Sequence, residues 1–90
     1  MKKILINGKE YELIKEYKEG FDLTEVADKL TKYFDEYDYV FGDWSYGKLR
    51  LKGFCDKKNK RFNQTNNIEK IDDYIKKYCS YECKYFLLKK

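Results

Sequence analysis

The chain has 90 residues, of which 42% are hydrophobic and 19% aromatic, and it carries a formal net charge of +4 without any histidine. This length suits one small domain spanning residues 1–90, and the aromatic content argues against a disordered chain. No apolar run approaches the roughly 20 residues of a membrane-spanning helix. We therefore expect a cytoplasmic protein with no membrane association. No pair of acidic, basic or thiol side chains has a spacing diagnostic of catalysis, so we expect no catalytic residues and no cofactor, and a protein without enzyme activity is favoured over an enzyme.

The first predicted element is a β-hairpin turning at Asn7-Gly8. Asn-Gly favours a two-residue type I′ turn, because both central residues need a positive φ. This turn places Ile6 opposite Lys9 and Ile4 opposite Tyr11. The apolar side chains of the two strands then share one face of the hairpin.

A helix is predicted next, at about residues 23–37. Asp22 can cap its first turn, and Glu25 follows three residues later, as in a capping box. The apolar residues then recur at helical spacing. They are Leu23, Val26, Leu30, Tyr33, Phe34 and Tyr37.

Two strands, Tyr39–Trp44 and Lys48–Phe54, flank the short connection Ser45-Tyr46-Gly47 and are expected to pair antiparallel. Leu49 and Leu51 should face the core, since side chains alternate along a strand. The same alternation places the cations of the second strand, together with Phe54, on the opposite face.

A second helix is predicted from a cap at Asn66 or Asn67 to about Tyr78, followed by a last strand at Cys83–Leu88. This strand is apolar on both faces, so we expect it inside the sheet or covered twice. The order ββαββαβ predicts an α+β domain with a largely antiparallel sheet and two helices.

The cations are concentrated between residues 48 and 61. Seven of them stand against Asp56 alone, a net charge of +6, so the remainder of the chain sums to −2. Cations beside exposed rings suit phosphate contact and base stacking, although a solvated face or a coding bias towards lysine explains the same block. The candidate nucleic-acid or anion-binding residues are Trp44, Tyr46, Lys48, Arg50, Lys52, Phe54, Lys57, Lys58, Lys60 and Arg61.

Asp43 and Arg50 flank the central connection and are predicted to form a structural ion pair. Cys55, Cys79 and Cys83 lack the fourth ligand of a structural zinc site. We therefore expect three free thiols and no metal.

Three segments resemble blocks of the YutD-like family of small bacterial proteins: 6–13, 37–54 and 78–88. The central block reads YDYVFGDWSYGKLRLKGF, and the last reads YCSYECKYFLL. The resemblance covers nearly the whole chain. It implies a cytoplasmic domain of low-GC Gram-positive bacteria or their relatives. It does not imply any particular activity for this chain.

We therefore interpret the chain as a non-enzymatic binding module that contacts RNA or a ribonucleoprotein through the central hairpin and the basic loop. The first alternative is a protein-interaction adaptor that uses the same aromatic side chains. The second is an enzyme of unknown reaction with Asp43 and Arg50 in a pocket. Oligomeric state does not follow from the sequence.

Overall fold

The computed structural model describes residues 2–78 and 83–90. The strands are β1 (Lys2–Ile6), β2 (Lys9–Tyr17), β3 (Tyr39–Ser45), β4 (Lys48–Phe54) and β5 (Tyr85–Lys89). The helices are α1 (Leu23–Lys29), a 3-10 helix at Lys32–Glu36, a second 3-10 helix at Ile68–Lys70, and α2 (Ile71–Tyr78), which follows it directly. No helix among these residues is long and apolar enough to cross a membrane.

The five strands form one antiparallel sheet in the order β1-β2-β5-β3-β4. The predicted α+β class and the element order are confirmed. β5 lies in the middle, paired with β2 on one side and β3 on the other. Phe86, Leu87 and Leu88 are consequently buried from both faces. This is one of the two placements that the apolar run of the last strand predicted.

The first hairpin forms with the predicted register. Ile6 pairs with Lys9 and Ile4 with Tyr11, and Asn7 and Gly8 both have positive φ, 51° and 80°. The Asn7 side chain also donates to the backbone carbonyls of Ala27 and Leu30, at 2.9 and 3.2 Å. The hairpin turn thus satisfies carbonyl groups that the end of α1 leaves without an intrahelical partner.

The first helix is shorter than predicted. α1 ends at Lys29, where Leu30 is extended, and a separate 3-10 helix begins after Thr31. The predicted cap is present, because Asp22 accepts from the Glu25 N–H at 3.2 Å. Val26, Leu30 and Phe34 still lie in one core cluster despite the break. The apolar residues therefore keep a helical spacing in the sequence although they belong to two separate helices and the residue between them.

Two apolar layers cover the two faces of the sheet. On one face, Val26 and Phe34 pack with the apolar side of the first hairpin and with Val40, Leu49 and Phe86. On the other, α2 and the preceding 3-10 helix pack against a smaller cluster. That cluster is built from Phe41, Phe54 and Leu87, with Ile68, Ile71, Tyr74 and Ile75 above them.

Candidate binding surface

The β3–β4 hairpin turns at Tyr46-Gly47, so the connection is a two-residue turn. Both residues have positive φ, 52° and 75°, as a type I′ turn requires. Ser45 therefore belongs to β3 and pairs with Lys48. The Tyr46 side chain is fully exposed, at 101% relative accessibility.

Asp43 and Arg50 are directly opposite each other in this hairpin. Arg50 donates from Nε to Asp43 Oδ1 at 3.2 Å and from an Nη to Asp43 Oδ2 at 2.5 Å. The hydrogen bond to Asp43 raises the pKa of the Arg50 guanidinium. Asp43 is buried and both its carboxylate oxygens accept hydrogen bonds from Arg50, so the carboxylate has a structural role in the hairpin.

Five cavities of about 270–540 Å³ open between described residues, and neither Asp43 nor Arg50 lines any of these five. The geometry gives no support to a pocket built around this pair.

Trp44 lies on the face opposite to the cations. Its ring packs against the larger core cluster and is half-buried. Its Nε1–H donates to the Gly20 carbonyl at 2.7 Å, and Lys84 Nζ lies 5.4 Å from the ring centroid. The ring is therefore partly structural, with its one polar group used inside the protein.

Phe54 was expected to be an exposed ring beside the cations, and this is wrong. It lies on the predicted face, but only 1% of it is exposed, because α2 covers that end of the strand. Its ring makes edge contacts with Phe41 and Tyr74, at centroid distances of 6.3 and 5.3 Å. Phe54 cannot stack on a nucleobase in this conformation.

The basic block is less free than its charge suggests. Lys57 Nζ lies 3.2 Å from Glu69 Oε2, and Arg61 forms an ion pair with Glu36. With Arg50, three of the seven cations are thus paired with carboxylates. Lys52 is half-buried, with its ammonium group against aromatic rings. The remaining three are exposed and form no ion pair with a described residue: Lys48, Lys58 and Lys60.

The expectation of three free thiols is wrong at Cys83, which is disulfide-bonded. Cys55 is free and buried, and burial raises the pKa of its thiol. The expectation for Cys79 lies outside the described residues. Within residues 2–78 and 83–90, no three Cys, Asp or Glu side chains are placed to hold a metal ion.

Sequence reasoning missed a set of side chains from α2 that lie beside Lys52. The ammonium group of Lys52 is 5.7 Å from the centroid of Tyr74, and both residues line one cavity with Lys77 and Tyr78. The apolar stripe predicted for the second helix could have indicated this placement. A helix with such a stripe covers a sheet face, and the face that carries Phe54 was the one not covered by the first helix.

These features define a class of small three-layer α+β proteins, with one antiparallel sheet between two sets of helices. Within that class, the family model described as "Putative antitoxin YutD-like" matches residues 5–89. The chain belongs to this family, which confirms the resemblance seen in its three sequence blocks.

Two comparisons with a Bacillus subtilis protein agree with this assignment. The chain is 41% identical over 87 residues to the "Putative antitoxin YutD" of strain 168, covering 97% of this chain and 96% of the relative. It also matches the solution NMR structure of protein yutD from B. subtilis, with a TM-score of 0.78 and 40% identity. That match covers 99% of this chain and 81% of the solved one.

Proposed function

We propose that this chain is a non-enzymatic binding module that acts as an antitoxin, by direct contact with a toxin protein in the cytoplasm. The name of the B. subtilis relative supports a protein partner. The family resemblance supports the cytoplasmic location.

The observation that carries the proposal is the conformation of Tyr46. A bulky residue rarely adopts a positive φ, which Asn, Asp or Gly tolerate better at this turn position. Tyr46 adopts it while its side chain buries nothing. A strained residue that adds no internal contact is a candidate for function, and tyrosine is enriched where protein surfaces meet.

The surroundings of Tyr46 suit a protein interface. The turn lies at the end of the sheet where β2 finishes and β5 begins. There, Tyr17 and Tyr85 stack at a centroid distance of 5.4 Å. Lys48 follows the turn, and Lys84 lies over the Trp44 ring. Aromatic side chains edged by cations fit a partner with an apolar centre and an acidic rim, because opposite charges steer association. We call Tyr17, Trp44, Tyr46 and Tyr85 the aromatic end; these side chains share one end of the sheet, with Trp44 on one face and Tyr85 on the other.

The test is affinity capture from native extract with wild-type protein and with Tyr46→Asn. Asparagine suits the turn, so this variant should fold at least as well as the wild type. We expect one protein to be captured by the wild type, to resist ribonuclease treatment and to be lost with Tyr46→Asn. Expressed alone, that protein should arrest growth, and co-expression of the wild-type chain should restore it.

The matched control is Leu5→Thr, which removes an exposed apolar side chain from β1, at the opposite edge of the sheet from the β3–β4 hairpin. Its capture should equal that of the wild type. Capture that survives Tyr46→Asn, or a captured protein with no effect on growth, would contradict the proposal.

RNA or a ribonucleoprotein is the second candidate, and the three exposed cations that form no ion pair with a described residue favour it. Contact through Lys48, Lys58 and Lys60 would make the affinity for single-stranded RNA depend on salt. Each phosphate contact should contribute about −0.7 to the slope of log affinity against log salt concentration. Replacing Lys48 and Lys58 with Gln should flatten that slope by about one to two units. The assay is titration of a labelled RNA pool in about 50 mM salt, and an unchanged slope would remove RNA as the partner.

A further inference from the structure

A cavity of about 470 Å³ opens between α2 and β4, at the outer edge of the sheet. Its volume lies within the roughly 300–1,000 Å³ of small-molecule sites. Tyr74 contributes aromatic surface above the buried Phe54, and the polar segment before α2 adds Gln64, Thr65 and Asn67. The aromatic end used in the proposed function contributes no residue to its lining.

The charged lining of this cavity is mainly cationic. Lys52, Lys70 and Lys77 stand against Asp73 alone. None of the three ammonium groups forms an ion pair with a residue in the described part of the chain. This differs from Lys57 and Arg61, which carboxylates neutralise.

Contacts with neutral groups position these cations. Lys52 Nζ lies 5.4 Å from the Phe54 centroid and 5.7 Å from that of Tyr74, while Lys70 Nζ donates to Gln64 Oε1 at 3.2 Å. Lys77 Nζ lies 5.5 Å from the Tyr78 centroid. Rings and amides hold an ammonium group without cancelling its charge. Three such groups around one space suit a phosphate, which lysine binds as a point charge.

The same cavity offers a surface for a planar ring. Tyr74 and Tyr78 lie 4.8 Å apart with their planes tilted by 36°. Tyr78 is 54% exposed, so part of its ring remains accessible. An aromatic side chain of this kind stacks on any nucleobase, because every base has a π-face.

We propose that this cavity binds a nucleoside monophosphate unit, with the phosphate among Lys52, Lys70 and Lys77 and the base against Tyr78. The unit has two sources, a free nucleotide or the 5′-phosphorylated end of an RNA strand. The proposal does not rest on the toxin-binding function, whose test concerns Tyr46 at the aromatic end.

The experiment is calorimetric titration of the full chain with AMP, inorganic phosphate and adenosine. We expect AMP to bind at least about tenfold more tightly than either fragment, because only AMP engages both the cations and the ring. A short RNA is then titrated with and without a 5′ phosphate. Tighter binding of AMP than of the phosphorylated RNA identifies a free nucleotide, and the reverse order identifies an RNA end.

Variants locate the binding. Lys70→Gln and Lys77→Gln alter exposed side chains and should each weaken AMP about tenfold, since a hydrogen bond to a charged group contributes about that factor. Tyr78→Ala should weaken AMP more than it weakens phosphate, because AMP loses the ring against its base as well as the contact that positions Lys77. Lys3→Gln, which removes the same charge from an exposed residue of β1 outside the cavity lining, should have no effect.

Three results would overturn the proposal: no heat from AMP at millimolar concentration, phosphate binding as tightly as AMP, or Lys3→Gln weakening AMP as much as Lys77→Gln. The last would mean that affinity follows net charge rather than this cavity.

Discussion

Replacing either member of the Asp43–Arg50 ion pair should lower the free energy of unfolding, but by different amounts for the two residues. Asp43 is 3% exposed, whereas 53% of the Arg50 side chain is accessible. Arg50→Gln leaves a buried carboxylate without its cation. Breaking a fully buried pair costs about 3–5 kcal/mol, and the partial exposure of Arg50 lowers our expectation to about 2–3 kcal/mol. Asp43→Asn leaves a guanidinium that water can solvate, so we expect about 1 kcal/mol.

Urea unfolding followed by tryptophan fluorescence would measure both changes. With a slope of roughly 1 kcal/mol per molar urea for a small domain, Arg50→Gln should lower the midpoint by about 2–3 M and Asp43→Asn by about 1 M. The double variant should reveal a coupling of about 0.5–3 kcal/mol.

Lys48→Gln is the matched control, because it removes an exposed cation from the same strand. Its effect should stay within about 0.5 kcal/mol. Additive single changes, or an Asp43→Asn variant less stable than Arg50→Gln, would refute the reasoning.

Three further variants test the fold. Gly8→Val should destabilise the protein by more than about 1 kcal/mol, since a β-branched residue resists the positive φ of the first turn, and an unchanged melting temperature would count against that turn. Phe54→Ala should cost about 3–5 kcal/mol by opening a cavity under α2; a loss below about 1 kcal/mol in urea would mean that the ring is not core. Burial raises the pKa of the Cys55 thiol, so the folded protein favours the protonated thiol. This contribution to the free energy of unfolding is fully present below the unfolded thiol pKa of about 8.5 and is lost as the pH rises further. Wild type should therefore lose more stability than Cys55→Ala between about pH 7.5 and 9.5, and equal losses in urea titrations would show that the thiol does not contribute.

Local signals carried most of the fold prediction. Asn7-Gly8 specified its own turn and therefore the register of β1 with β2, because a two-residue turn leaves no freedom in the pairing. Asp22 likewise marked the start of α1. The end of α1 could not be read from the sequence. Leu30 satisfies the helical spacing, yet the backbone is extended there, and the Asn7 side chain, 23 residues earlier, donates a hydrogen bond to its carbonyl.

The candidate site was less predictable, because alternation assigns a side chain to a face and says nothing about what covers that face. Phe54 and the cations were correctly placed on one side of β4. Only the packing of α2 decided that Phe54 is core while Lys48 remains in water. The pairing of Arg61 with Glu36, 25 residues away, likewise depends on how the loop folds back.

The sequence by itself therefore determined the class and order of the elements, the burial of the last strand and the family, since turn chemistry and apolar periodicity act between near neighbours. Tertiary structure alone decided which cations form ion pairs with described carboxylates and which rings stay exposed. It also created the cavity beside Lys52, from side chains that come together only when α2 packs on the sheet. Charge and exposure are properties of the assembled surface, where residues distant in the chain neutralise or cover one another.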